Sequence, residues 1–336
     1  MSMSSPRTIL VATDEGLHLV NGDGAARVDD LAGRQVGALA PAGDGWWALV
    51  GGRELWRSAD GSRWSMSAKV PKRRATCLAT TPAGLLVGTA RAHLLRLEAD
   101  RLVPVPSFEE TKGRKAWYTP WGAPADVRSI SAGADGAAYV NVHVGGVLRS
   151  GDRTWRPTLD IEHDVHQVLV PPGHPGLVLV AAADGFGRSG DGGDTWQWDN
   201  DGLHAHYCRA VAVAGGTVLI SASSGHHGRR ATVYRRPLDG SAPFERCRIG
   251  LPEWFSDNVD TGCLAARGRT VVIGTEDGSV FLSEDGGERW DDIAKGLAPV
   301  RAVAPDPEDD DVAVIRGIDK AAMDGFTGHV VAAVEK

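Results

Sequence analysis

The chain of 336 residues carries 43 Asp and Glu against 36 Lys and Arg, a formal charge of −7 with its histidines neutral. That balance, a pI near 5.9 and the absence of any Lys/Arg-rich run argue against a nucleic-acid partner. No apolar stretch approaches the roughly 18 residues of a membrane span, and 43 Gly and 11 Trp beside only 4 Tyr point to many tight turns with recurring Trp anchors.

In chain order, residues 1–7 pass straight into an apolar segment, 8–13, which reads as a strand without the h-region or small-residue cleavage site of a signal peptide. Seven short segments of small and β-branched residues follow, at 37–40, 76–79, 128–131, 166–169, 209–212, 262–265 and 301–304. Second strands come after them, as at 85–89, 177–181 and 270–275, and a third at 278–283 leads into a turn motif. Units recurring every 40 to 50 residues cannot bury an apolar face alone and must stack against their neighbours. Cys77, Cys208, Cys247 and Cys263 show no paired spacing, so reduced thiols and a cytoplasmic location are expected.

The turn motif, Ser-x-Asp-Gly-(Gly)-x-x-Trp, occurs at 58–64, shortened at 150–155, and most fully at 189–196 and 283–290. Its Asp can bond the backbone two residues on, its Gly supplies positive φ, and its Trp anchors the returning strand in an apolar layer. The motif resembles the Asp-box, or BNR, repeat of the β-propellers found in sialidases, sortilin-type receptors and photosystem assembly factors. The resemblance, with the seven segments, implies an all-β, seven-bladed β-propeller of four-stranded blades forming one domain over 1–336. C-terminal strands at 300–304 and 311–315 need partners, which 8–13 and 16–20 offer, so one blade is expected to be closed by both termini.

In such a blade the motif turn joins the third and fourth strands. Asp60, Asp152, Asp191 and Asp285 should therefore point away from the ligand face and act in turn formation, not catalysis. The opposite face collects Arg128, His166, Arg209 and Arg301 at the mouths of the inner strands, with Gly37, Thr76 and Gly262 in the equivalent places of the other blades. His143 follows a second strand. Glu162, His163 and Asp164 lead into one inner strand, and His204, His206 and Tyr207 into the next. Two long insertions, 104–125 with Trp117 and Trp121, and 252–260 with Trp254 and Asp260, should rise on the same face as the walls of a pocket.

These residues allow two chemistries. His143, His166 and His206, with His163 and His204 next, could hold a divalent transition metal (zinc, copper, iron or manganese), with Glu162 or Asp164 as base or second-sphere partner and Tyr207 as an available phenol. Arg128, Arg209 and Arg301 suit a small anionic molecule, although each can equally form a salt bridge between blades, with Asp126, Asp164 or Asp260 as partner. Histidines too can simply bond between blades. The expected function is therefore binding of a small anionic ligand, with a metal-dependent hydrolase or lyase as its catalytic form. The alternatives are a non-catalytic scaffold holding a protein partner, and a glycoside hydrolase in the sialidase manner; for the last, the family's Phe-Arg-Ile-Pro motif is not recognisable near the N-terminus.

Overall fold

The computed structural model describes residues 8–21, 24–43, 45–119, 122–151 and 154–305. Seven four-stranded antiparallel sheets stand around a common axis, making a seven-bladed propeller. The inner strands of blades 2 to 7 are Val36–Ala42, Ala75–Thr81, Val127–Ala132, Val165–Leu169, Tyr207–Ala214 and Leu264–Arg267. Blade 1 is composite: its inner strand is Val300–Pro305, and Ile9–Thr13, Gly16–Asn21 and Gly24–Arg27 supply the other three. Leu10 lies opposite Ala304 and Val11 opposite Val303, so the two ends of the described chain close the ring through backbone hydrogen bonds. The further expected strand at 311–315 falls outside the described residues.

The core lies between blades rather than within them. One cluster joins Ile9, Val11 and Val20 of blade 1 to Val271, Ile273 and Val280 of blade 7 and Leu219 of blade 6. Near the axis this packing needs small residues. A Cβ at Gly88 would meet Val127 Cγ1 of the following blade at 2.4 Å, and one at Gly274 would meet Val300 Cγ1 at 2.4 Å. Glycine there lets the next inner strand nest against the second strand of its neighbour.

Three copies of the turn motif are described in full and share one scheme. Asp60 Oδ1 accepts from the backbone N–H of Ser62 (2.8 Å) and Arg63 (3.0 Å), and Asp285 Oδ1 from Glu288 (2.8 Å) and Arg289 (3.0 Å). Ser58 and Ser283 Oγ take the N–H of Gly61 and Gly287, each at 2.8 Å. Trp64 and Trp290 are buried, and their indole N–H groups donate to Gly61 and Gly287 carbonyls at 2.7 and 3.1 Å. Trp196 differs: it is half-buried and donates to the Thr158 carbonyl of the preceding blade at 2.8 Å. Asp152 of the shortened copy is outside the described residues, but its Trp155 is buried. The turns sit beside the loops joining first and second strands, as when Gly192 N–H donates to the Gly176 carbonyl at 2.8 Å, which puts them on the face away from the inner-strand mouths.

Candidate functional site

At the mouths of blades 4, 5 and 6 a polar cluster surrounds Asp164. The chain reaches it through a single 3-10 turn, Ile161–His163, capped by Asp160, whose side chain accepts from Glu162 N–H. Asp164 then adopts the left-handed conformation, φ 36° and ψ 64°, which Asp tolerates better than bulkier residues. Its carboxylate faces three groups from two blades: Arg128 Nη1 at 3.3 Å, His143 Nε2 at 3.4 Å and His166 Nε2 at 3.7 Å. Burial raises the Asp164 carboxyl, opposed by Arg128 and then Arg209.

His166 has the best-defined protonation. Its Nδ1 lies 2.5 Å from the Cys208 carbonyl of blade 6, and a carbonyl can only accept, so Nδ1 carries the proton. In the neutral ring Nε2 is then a bare acceptor. The side chain is 2% exposed, and Nε2 has no hydrogen-bond partner among the described residues. Two acceptors, this nitrogen and Asp164 Oδ2, thus face each other across 3.7 Å. Burial and the neighbouring Arg128 push the His166 pKa well down; burial, then Arg128 and Arg209, push His143 down to about 4. Both imidazoles are neutral at pH 7. His143 is set by its backbone N–H donating to the Asp126 carbonyl at 2.9 Å, just before a left-handed Val144.

Arg209 extends the cluster toward the axis. Its Nε approaches Asp260 Oδ1 at 2.6 Å and its Nη1 donates to Tyr207 Oη at 3.2 Å, while the Tyr207 ring meets His166 edge-on at 4.8 Å. Thr261 Oγ1 donates to the Arg209 carbonyl at 2.8 Å. Beyond lies an axial cavity of about 260 Å³ bordered by Gln35, Arg74, Thr76, Asp260, Thr261 and Arg301. Arg301 Nη1 meets Glu276 Oε2 at 2.6 Å and its Nε meets Asp14 Oδ1 at 2.9 Å. Arg128, Arg209 and Arg301 therefore all make ion pairs between blades, and Arg301 stands apart from the other two.

The remaining residues singled out from the sequence lie elsewhere on the face. His163 pairs with Asp184 at 2.9 Å and packs on Trp198 at 4.5 Å. His206 and Glu162 are exposed. Trp117 packs on Phe108 at 5.8 Å and under Gly145, beside the His143 loop, whereas Trp121 lies outside the described residues. Of the five histidines considered for a metal, His143 and His166 come together on Asp164; His163, His204 and His206 do not join them. Among the described residues no group of three or more His, Cys, Asp or Glu side chains is arranged to hold a metal.

Two contributors escaped the sequence reading. The Cys208 carbonyl, not its thiol, fixes the His166 tautomer; the thiol is fully buried and its pKa is pushed up by that burial. Asn141, also fully buried, accepts from Ser129 Oγ at 2.6 Å and donates to the Val165 carbonyl at 2.5 Å, locking blade 5 against blade 4 beneath the cluster. A backbone carbonyl leaves no trace in side-chain chemistry, but an Asn within an apolar strand was a readable signal.

His204 and Trp254 occupy a second depression at the outer rim of blade 6, a cleft of about 760 Å³. An isolated bridge between Ala231 and Phe255 ties the loop after the second strand to the 252–260 insertion, bringing Arg230 beside Trp254. The guanidinium carbons of Arg246 and Arg230 lie 4.0 and 4.7 Å from the Trp254 ring centroid. His204 Nδ1 meets Tyr234 Oη at 2.8 Å, and its Nε2 is buried without a hydrogen-bond partner among the described residues.

No protein family's sequence profile and no characterised protein sequence matches the chain. Solved structures do. The WD40 β-propeller domain of Doa1 superposes with a TM-score of 0.59 at 14% identity, over 88% of this chain and 89% of that one. The computationally designed Ika8 protein gives 0.57 at 16% identity, over 90% and 88%. The GH74 enzyme of Niastella koreensis gives 0.52 at 15% identity over 87% of this chain, which spans 44% of the enzyme. Likeness at these identities shows the propeller fold and nothing finer. No helix among the described residues is long and apolar enough to cross a membrane.

Proposed function

We propose that the protein binds a small anionic ligand at the mouths of blades 4 to 6, specifically a carboxylate that also carries a hydroxyl. The observation behind this reading is the bare Nε2 of buried His166 facing the Asp164 carboxylate at 3.7 Å. Asp164 already accepts from Arg128, so it is His166 Nε2 that calls for a donor, and a ligand hydroxyl would supply one. Arg128 has further N–H donors for the ligand's carboxylate, and Arg209 and Tyr207 adjoin the cluster, Tyr207 against the His166 ring. An acceptor pair of this kind is also what a hydrolytic or lyase step needs to take a proton from water or substrate. The turn motifs are read as Asp-boxes, with structural roles. The four buried free thiols support a reducing, cytoplasmic location.

A divalent transition metal is the second reading, favoured by two neutral imidazole nitrogens facing one carboxylate. His143, His166 and Asp164 would hold it, and it would supply Lewis acidity at the mouth. The nitrogens approach different Asp164 oxygens, so the carboxylate would have to turn to join them.

Calorimetric titration with malate, citrate and gluconate, against succinate and tricarballylate as partners lacking the hydroxyl, tests the proposal. At least one hydroxy acid should bind about tenfold or more tightly than its partner, because removing the hydroxyl again leaves a buried acceptor unpaired. Arg128→Gln should abolish that binding. Equal affinities, or binding indifferent to Arg128→Gln, would contradict it. Metal analysis of untagged protein decides the second reading.

A further inference from the structure

The cleft at the outer rim of blade 6 is not needed for the function proposed above, and its charges are arranged differently. Arg128, Arg209 and Arg301 each face a carboxylate. Arg230, Arg246 and Arg248 converge on the cleft, and none of the three makes an ion pair among the described residues, although Glu245 and Glu253 line the same space.

Their positions are built, not incidental. Arg230 is in the left-handed region at φ 55°, a conformation that costs a long side chain about 1 kcal/mol or more. It is held there by the bridge from Ala231 to Phe255, with Phe255 N–H on the Ala231 carbonyl at 2.9 Å. Arg246, on the outer strand Glu245–Arg246, donates from Nε to Thr232 Oγ1 at 3.2 Å, and the next residue is fixed by Cys247 N–H on the Val233 carbonyl at 2.9 Å. Contact with Trp254 steadies both guanidiniums and leaves N–H donors unused.

We infer that this cleft is a second binding site, for a phosphate monoester carried on a small molecule. One carboxylate can serve several guanidiniums, but a phosphate monoester matches three of them better, with three acceptor oxygens and nearly two negative charges. The cleft volume of about 760 Å³ suits a small organic body attached to that phosphate. Tyr234 and Trp254 give this body an apolar wall. The two glutamates are left to bond its hydroxyls.

Phenyl phosphate and inorganic phosphate, titrated calorimetrically into the full chain at low salt, are the probes. Phenyl phosphate should bind, and more tightly than inorganic phosphate. Arg246→Gln and Arg248→Gln should each weaken it by about tenfold or more, with thermal unfolding showing that each variant is folded. Arg96→Gln, remote on blade 3, should change nothing. Absence of phenyl phosphate binding at millimolar concentration would overturn the inference. So would binding unaffected by the cleft variants but lost in Arg128→Gln, which would move the phosphate to the axial mouth without touching the argument for a ligand there.

Discussion

Among single residues, several titratable groups have their charge fixed by their surroundings. Burial and two arginines hold the His143 pKa at about 4, below its ordinary value of 6.5. The unfolded chain therefore binds more protons than the folded one between these values. The stability this neutral histidine contributes is full above pH 6.5 and is lost as pH falls toward 4. Urea unfolding across that range should show falling stability, and His143→Gln should flatten the slope; an unchanged slope would mean that the ring is not neutral in the fold. Asp164→Asn makes a sharper case. An amide can donate to His166 Nε2 and is comfortable in the left-handed conformation, which offsets the lost Arg128 ion pair. The variant should unfold at or above the wild-type temperature while losing hydroxy-acid binding by tenfold or more. A variant that unfolds several degrees lower would show that Asp164 serves the fold rather than a ligand.

At the scale of elements, the motif turns are distinguishable although their sequences are close. Trp290 is 4% exposed and packs in the cluster shared by blades 6, 7 and 1, so Trp290→Ala should cost about 3–5 kcal/mol of stability in denaturant titration. Trp196 is half-buried, and its indole bonds across to Thr158; its loss should cost clearly less. Equal costs would mean that the indoles anchor strands irrespective of depth. Asp285→Asn should leave ligand binding intact, since its turn lies on the opposite face. The Asp60 carboxyl is held down to about 2, first by the N–H of Arg63 and then by Ser62. Its contribution is present above its ordinary value of 3.8 and is lost as pH falls toward 2, which Asp60→Asn should remove from the acid-unfolding curve.

At the scale of the whole molecule, ring closure by Ile9–Thr13 against Val300–Pro305 predicts that deleting residues 1–20 yields aggregated protein, read by sedimentation. A soluble, monomeric truncation with an unchanged melting temperature would contradict the closure. The blade count was legible because each inner strand repeats small and β-branched residues around one apolar position, as in Ala210-Val211-Ala212 and Ala302-Val303-Ala304. The site was legible only by face. Residues leading into inner strands must share that face, so Asp164, His166 and Arg209 could be grouped, but radius from the axis has no sequence signature. His204 and Trp254 therefore joined the same expected pocket, although they lie at the rim with Arg230 and Arg246. Pairing was half-readable: Asp164 and Asp260 were foreseen as partners of the arginines, whereas the hold of Asp14 on Arg301 depends on ring closure, which brings residues from opposite ends of the chain together.

¹⁵N NMR of histidine-labelled protein, with and without malate, citrate or gluconate, reads the His166 ring and its bond to a ligand hydroxyl. The free protein should show His166 neutral, with Nδ1 protonated and Nε2 bare, and the Nε2 resonance should move as the bound hydroxy acid donates to it. A doubly protonated His166 in the free protein, or an Nε2 resonance unmoved by a hydroxy acid that binds, would mean that His166 does not accept from the ligand.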